Sequence, residues 1–301
     1  MADHEVAPEK TRQLKADLIL FLVAAIWGGG FVAGKIALSG FQPVTLLFYR
    51  FAGSAVVLGL LFHKNIRRAD AKTIRYGLSL GLLHFTGLLL QLVGLKYTSS
   101  AKQAFLASTY VVFTPFMAWL ILKVRPLKRD LAAGLLALLG IAFISLNRTL
   151  SLQPGDPITL GFAAVFSLQL VLIGKYGSVV DTLAMTFYQF VSSTLLSCVA
   201  VFLTGSTLGS HNQSAWGGTF YLVFINTALA ILLQNLAQRH SSQTHAALIL
   251  SFESVFGFLF SVMFFKDPIS WQTWSGCALI FFAILVSKGV IHRWPYPKGE
   301  N

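Results

Sequence analysis

Charged residues are scarce in this sequence, and acids are the scarcest of them. Only 11% of the 301 residues are Asp, Glu, Lys or Arg, against about 25% in an average soluble domain. Hydrophobic residues make up 55% of the chain. A water-soluble core of this size cannot bury so much apolar surface, so a lipid bilayer must be the solvent for much of it. The composition excludes an ordinary soluble protein.

Reactive and metal-binding motifs are equally scarce. The two cysteines, Cys198 and Cys277, lie in apolar segments and form no CxxC pair, which is typical of packed thiols. His84, His240 and His245 show no metal-ligand spacing, and the last two are expected at a membrane interface near a span end. We find no zinc motif, Ser/His/Asp set or phosphate-binding loop. The sequence therefore predicts neither an enzyme nor a bound metal or cofactor.

What the chain does contain is a series of apolar runs of membrane-spanning length. A helix of about twenty apolar residues crosses a bilayer, and most runs here are bounded by charges, Gly or Pro. The ten predicted transmembrane helices, called spans 1 to 10, lie near residues 17–38, 43–62, 74–95, 102–122, 130–147, 157–174, 182–204, 217–237, 244–265 and 270–290. The predicted fold class is an all-α integral membrane protein.

The 23 basic residues sort by membrane side. Most fall in the two tails and in the connections after spans 2 and 4, which share one face of a ten-span protein. Because cytoplasmic loops hold the excess of Lys and Arg, both termini are predicted to be cytoplasmic, in a multi-pass protein of the inner (plasma) membrane. The net charge of +12 then follows from topology, and no nucleic-acid partner is needed to explain it.

The two halves of the chain resemble each other. The matched segments are 47–51 with 186–190, 88–91 with 231–234 and, without gaps, 100–147 with 242–289. A second copy of five spans enters the membrane from the opposite side, so two inverted five-helix repeats are predicted. Inverted repeats recur in transporters, because exchanging the conformations of the two halves switches access between the membrane faces.

The predicted organisation has five parts. They are a cytoplasmic tail at 1–16, a first five-helix repeat at 17–147, an external linker at 148–156, a second five-helix repeat at 157–290 and a cytoplasmic tail at 291–301. The connections are short, which leaves no room for a catalytic domain outside the membrane.

Several motifs, in this order, resemble EamA-type members of the drug/metabolite transporter superfamily. They are AIWGGGF at 25–31, Pro43 followed by FYRF at 48–51, and the patterns of spans 4–5 and 9–10. The resemblance covers nearly the whole chain. It implies an inner-membrane carrier of small metabolites, often an exporter, with a central cavity between the two halves.

Two positions depart from the family pattern. Val124 and Arg125 stand before Pro126 where the family often has an acid, and Ser254 follows Glu253 where a Pro is usual. The second departure leaves open whether span 9 bends there.

Glu253 is the one acid predicted near the centre of a span. A charged side chain at that depth costs about 2.5–3.5 kcal/mol on insertion scales and usually faces a cavity or a partner. Glu253 could exchange protons or contact a cation, or it could be a neutral, hydrogen-bonded acid that joins two helices. Gly257, one turn further on, would leave space beside it.

Arg50 and three amides are further candidates for substrate contact. Arg50 in span 2 could meet an anionic group, or it could clamp carbonyls or extend towards the interface. The resemblance implies a basic residue here whatever the substrate, which favours a structural role. Gln91 and Gln234, at equivalent places in spans 3 and 8, and the adjacent Asn235 are either substrate contacts or helix-joining groups. Secondary candidates are Tyr110, Tyr49, Tyr188, Gln169 and Asn226.

Span 1 contains Trp27 and a cluster of glycines, Gly28, Gly29, Gly30 and Gly34. Successive glycines permit either close helix packing or local unwinding. Broken helices often line transporter sites. We therefore expect this segment to act in helix packing or as a hinge near the substrate.

The sequence predicts a secondary active transporter, an exporter, that moves small organic metabolites by alternating access with protons as the coupling ion. Two basic residues inside the spans make a poor cage for a phosphorylated substrate, which favours a neutral, zwitterionic or cationic solute. The expected partners are that solute, the bilayer and protons. A non-transporting membrane sensor or scaffold and, less favoured, an intramembrane enzyme stay open as alternatives.

Overall fold

The computed structural model describes residues 3–98, 100–145, 153–265 and 271–287, and no strand occurs in these ranges. The helices are α1 (Asp3–Ala37), α2 (Pro43–Leu61), α3 (His63–Arg67), α4 (Ala71–Lys96), α5 (Ser100–Ser108), α6 (Tyr110–Leu122), α7 (Lys128–Ser145), α8 (Gly155–Gly177), α9 (Thr182–Thr204), α10 (Gln213–Phe220), α11 (Ala230–Gln238), α12 (Gln243–Leu250), α13 (Glu253–Phe265) and α14 (Trp271–Ser287). A π-helical segment, Tyr221–Leu229, joins α10 to α11. The predicted C-terminal tail and most of the predicted linker lie outside the described ranges.

Length and hydropathy make this a multi-pass helical protein. Within the described ranges, seven helical segments are long and apolar enough to cross a membrane: Arg12–Ala37, Pro43–Leu61, Ala71–Lys96, Gly155–Gly177, Thr182–Thr204, Gln213–Gln238 and Gln243–Phe264. A shorter apolar stretch is Leu106–Leu122. Large apolar side chains such as Phe202 and Leu203 are strongly exposed on α9, as expected of a surface that faces lipid.

Short polar residues start the helices that follow loops. Asp70 accepts a hydrogen bond from the Thr73 backbone N–H at the start of α4. Asp181 does the same for two N–H groups of α9, and Asn212 for two of α10. These side chains satisfy amides that have no partner inside the helix. Gly205, with a φ of 60°, ends α9 in the left-handed conformation that glycine adopts without strain.

Two apolar runs that the sequence presents as single spans are interrupted. The first breaks at Thr109, between α5 and α6, and the second breaks at 251–252, between α12 and α13. At each break a hydroxyl group bonds back to the carbonyl three residues earlier: Thr109 Oγ1 to Leu106 O at 2.6 Å and Ser251 Oγ to Leu248 O at 2.7 Å. Predicted span 9 is thus interrupted at this point without the proline.

Helix contacts connect the two halves of the chain throughout. The main pairs are α1 with α13 and α11, α2 with the π-helical segment and α9, α4 with α8 and α9, α5 with α13, α6 with α8, and α7 with α14. The hydrophobic core consists of one large cluster, which draws residues from nearly all of these helices, and a small second cluster of Leu80, Ile173 and Met185. The centre of this bundle holds the candidate site.

Candidate functional site

A narrow cavity of about 40 Å³ lies at the centre of the bundle. Its polar lining is Trp27, Arg50, His84, Gln91, Asn226 and Glu253. Its apolar lining is Gly30, Phe31, Leu88, Leu92, Leu95, Phe162, Phe166 and Ile231. Both halves of the chain contribute, and the space is enough for only a water molecule or two.

Glu253 is the first residue of α13, directly after the helix break. Its side chain is buried, with 3% of its surface exposed. The Ser108 hydroxyl donates to Oε1 at 3.3 Å from the last residue of α5, so the two broken segments meet at this carboxyl group. The start of a helix favours a negative charge through its free N–H groups and its dipole. The break therefore presents the carboxyl group of Glu253 to the cavity at the start of a helix.

Arg50 lies on α2 and is also buried, at 4% exposure. Its Nε donates to Thr227 Oγ1 at 2.9 Å and its Nη2 to Asn226 Oδ1 at 3.0 Å. Both acceptors belong to the π-helical segment. π-Helical turns are rare and often occur at functional sites. Arg50 therefore joins α2 to the π-helical segment and also lines the cavity, so the two roles considered for it are compatible.

His84 faces the same cavity from α4 and is 1% exposed. Its Nδ1 lies 3.0 Å from Nε2 of Gln169 on α8, while its Nε2 has no hydrogen-bond partner among the described residues. The ring packs against Phe51, with centroids 5.2 Å apart. His84 is thus a fixed polar group beside the cavity.

The remaining cavity wall combines one amide with aromatic rings. Gln91 is half-buried on α4, two turns after His84. Trp27 packs edge-on against Phe166, with ring centroids 5.5 Å apart, and Phe166 stacks on Phe162 at 5.3 Å. This wall would contact the apolar part of a ligand.

Three predicted candidates lie away from the cavity lining. Gln234 donates to Gln238 Oε1 at 3.2 Å within one helix face, and Asn235 donates to Thr186 and Gln189 at 2.9 and 3.1 Å. Both are fully buried between helices. Tyr110 is buried edge-on against Phe166. Gln234 and Asn235 thus lie in helix contacts, whereas Tyr110 lies beside the Glu253 carboxyl group that lines the cavity.

The glycines of α1 serve close packing, since α1 runs unbroken through them. A Cβ on Gly28 would lie 2.7 Å from the backbone nitrogen of Gly257, and one on Gly30 would collide with the Asn226 side chain. Unwinding at this cluster does not occur. Among the other glycines, Gly29 lies beside Tyr221 Oη and Gly34 lies beside Leu95. Gly257 lies beside Ala104 and Phe31.

Comparison with known sequences decides the family. The sequence model of the EamA-like transporter family matches residues 14–146 and again 153–288. The chain belongs to the EamA-like transporter family. It is therefore a multi-pass membrane protein of a transporter family, which confirms the family resemblance and agrees with its apolar helices.

Individual relatives agree with this assignment. An uncharacterized transporter of Archaeoglobus fulgidus is 33% identical over 279 residues, covering 92% of this chain and 87% of its own. The uncharacterized transporter YyaM of Bacillus subtilis is 23% identical, covering 96% and 99%. One solved crystal structure superposes on this chain with a TM-score of 0.73 at 17% identity, covering 92% of this chain and 97% of that one. The two proteins therefore share a fold.

His245 corrects one prediction about this EamA-like chain. We expected it at the membrane interface, but only 6% of it is exposed, and its Nε2 lies 3.2 Å from Asp17 Oδ1. Asp17 on α1 is also buried. The carboxyl group gives the imidazole a polar partner inside the protein, so His245 need not stay in contact with water. His240 is exposed as expected.

Sequence reasoning missed His84 as a cavity residue, because it considered the histidine only as a metal ligand. A signal was available on α4. His84, Leu88, Gln91 and Leu95 recur at the three- and four-residue spacing of one helix face, and all of them line the cavity. Asn226 was a secondary candidate, and its π-helical setting has no counterpart in the sequence pattern.

Proposed function

We propose that this EamA-like protein is a secondary active exporter of small organic metabolites that works by alternating access and exchanges protons through Glu253. One observation supports this most directly. A central cavity formed by both halves of the chain has a buried acid, Glu253, and a buried base, Arg50, in its wall. Ionisable groups at such depth usually mark a substrate or ion pathway.

The proposed scaffold is ten transmembrane helices in two inverted repeats, 17–147 and 157–290, joined by the linker 148–156. The contacts support it, because exchanging the first five spans for the second five converts the main helix pairs into one another. Span 1 packs on spans 8 and 9 as span 6 packs on spans 3 and 4, and span 2 packs on span 8 as span 7 packs on span 3. The double match of the family model is consistent with the same division.

Alternating access requires the cavity to open, since its present volume is too small for a metabolite. The two helix breaks are suited to that movement. Thr109 and Ser251 occupy equivalent places in the aligned register of 100–147 with 242–289, and the segments meet through Ser108 and Glu253. A change at Glu253 would thus act on both broken spans together.

The proposed orientation puts both termini, 1–16 and 291–301, in the cytoplasm of a cell with this protein in its inner membrane. The positive-inside bias supports it. An exporter would then bind its solute from the cytoplasm and take up a proton from outside. The solute class that fits the cavity is neutral, zwitterionic or cationic, because Glu253 disfavours multiply charged anions.

Flux measurements test the function. Purified protein is reconstituted in proteoliposomes loaded with a defined mixture of amino acids, amines and other small metabolites, and the external solution is analysed by mass spectrometry with and without a pH gradient. We expect gradient-driven efflux of a subset of the mixture. No protein-dependent efflux at any gradient would contradict transport and favour a sensor or scaffold.

Glu253→Gln tests the coupling. This variant keeps the size and hydrogen bonds of the side chain but cannot exchange a proton, so we expect efflux to lose its dependence on the pH gradient. The matched control is Asp156→Asn, which alters a buried acid whose Oδ2 accepts from the Gln153 backbone N–H and which does not line the cavity. Unchanged proton coupling in Glu253→Gln would exclude the proposed role.

A further inference from the structure

The guanidinium group of Arg50 is a buried cation whose hydrogen-bond partners are neutral. The hydroxyl of Thr227 and the amide oxygen of Asn226 occupy two of its donors, and a guanidinium has five N–H groups. No carboxylate of the described residues lies within ion-pair distance of it. A buried charge without a counter-ion is costly. The Arg50 guanidinium group can therefore take an anion as a further hydrogen-bond partner and as its counter-ion.

His84 adds a second unused donor to the same wall. Its Nδ1 faces Nε2 of Gln169, and an amide nitrogen only donates, so Nδ1 accepts that bond. In the neutral ring the proton is then on Nε2. That atom is buried and has no partner among the described residues. Arg50 and His84 thus both supply N–H donors to the cavity, and the hydrogen bonds described for them do not occupy all of these donors.

The chemistry of the cavity selects the class of anion. A phosphate group brings close to two negative charges and a demand for several cations, whereas this wall offers one guanidinium and one neutral imidazole. Glu253 also lines the cavity and would repel a doubly charged group. A carboxylate has one charge and matches the planar guanidinium with two oxygens. The donors therefore fit a carboxylate best.

We propose that Arg50 and His84 form a carboxylate-binding subsite, so that the transported solute is a zwitterion with its carboxylate at Arg50 and its ammonium group towards Glu253. This deepens the proposed function and rests on it. The aromatic wall of Trp27, Phe162 and Phe166 contacts the apolar remainder of the solute. Asn226 and Thr227 position the guanidinium group.

Matched ligands test the subsite on the purified full-length protein in lipid nanodiscs. Two sets are titrated by calorimetry: leucine, leucinamide, 3-methylbutylamine and 4-methylpentanoate, and phenylalanine, phenylalaninamide, phenethylamine and 3-phenylpropanoate. We expect at least one amino acid to bind about tenfold tighter or more than its amide and its amine, as a charge-assisted hydrogen-bonded pair would give. Equal binding within both sets, or no binding of any carboxylate up to about 10 mM, would overturn the proposal.

Variants locate the effect. Arg50→Gln should remove the preference for the amino acid over its amide, and His84→Phe, which keeps a ring but no donor, should reduce it in part. The control is Lys35→Gln, because Lys35 is a second basic residue in an apolar helix. Lys35 Nζ donates to Leu95 O and Thr98 O, and Lys35 does not line the cavity. If Arg50→Gln weakens the amide as much as the amino acid, Arg50 is structural and the subsite is excluded.

The same probes in sealed proteoliposomes separate this proposal from the proposed function. Carboxylate-dependent binding without flux would contradict transport and leave the subsite in place. Efflux of an amine or amide with no preference for carboxylates would support transport and overturn the subsite.

Discussion

Positions that the repeat pairs with each other have different environments in the two halves. Arg50 and Gln91 of the first half line the cavity, whereas their partners Gln189 and Gln234 are fully buried between helices. Gln189 accepts a hydrogen bond from Asn235 at 3.1 Å. The same places in the scaffold thus hold cavity-lining groups in one half and packing groups in the other.

The second half supplies the opposite charge. Glu253 lines the cavity, and the aligned register places Val111 at its counterpart in the first half. The π-helical segment that holds Asn226 corresponds to a continuous stretch of α4. A backbone that repeats can exchange conformations between its halves, while a polar lining that does not repeat can orient one solute. The repeated backbone and the polar lining of the cavity therefore depend on different residues of this chain.

The largest expected effect comes from placing an arginine, which the first half has at position 50, at the equivalent position 189 of the second half. Gln189→Arg would place a cation at a position that is fully buried between helices and lies beside the neutral amide of Asn235. Burying an uncompensated charge costs about 3–5 kcal/mol, so the variant should unfold at a much lower temperature or fail to fold. Thermal unfolding followed by size-exclusion chromatography measures this, with Gln189→Met as the control. A variant as stable as the native protein would contradict the proposed difference between the two positions.

A smaller effect should separate the paired amides. Gln91→Leu removes a cavity group and should impair efflux with little change in stability. Gln234→Leu should leave efflux unchanged and cost about 1 kcal/mol, the net value of its hydrogen bond to Gln238. Flux in proteoliposomes and thermal unfolding of both variants provide the comparison. The reverse outcome, with Gln234→Leu inactive and Gln91→Leu active, would mean that the present cavity is not the binding site.

The helical, membrane-embedded character of the protein could be predicted from the sequence, because apolar runs and charge placement act over many residues and tolerate local exceptions. Glu253, Arg50 and Gln91 could also be selected, since an ionisable or amide group in an apolar run must find a partner or a cavity. The family resemblance was confirmed by the comparisons.

The sequence could not separate cavity residues from packing residues. Gln91 and Gln234 look equivalent in sequence, and only the neighbouring helices decide which one faces open space. The same limit applies to His245, whose burial depends on Asp17 more than two hundred residues earlier in the chain. The π-helical segment depends on tertiary contacts, such as the bond from Tyr221 Oη to Ile26 O at 2.8 Å, and has no local signature.

The smallest expected effect compares two helix caps. Asp70 caps α4, which starts predicted span 3, and Asn212 caps α10, which starts predicted span 8. The Thr73 hydroxyl and then its backbone N–H donate to Asp70 and hold the pKa of its carboxyl group below the usual 3.8. A lowered folded-state pKa stabilises the fold at higher pH, and that contribution is lost as pH falls through the lowered value. Thermal unfolding between about pH 6 and pH 3 should therefore show the native protein losing stability relative to Asp70→Asn, which keeps a neutral cap like Asn212. Parallel curves for the two proteins would mean that the Asp70 charge adds nothing to its cap.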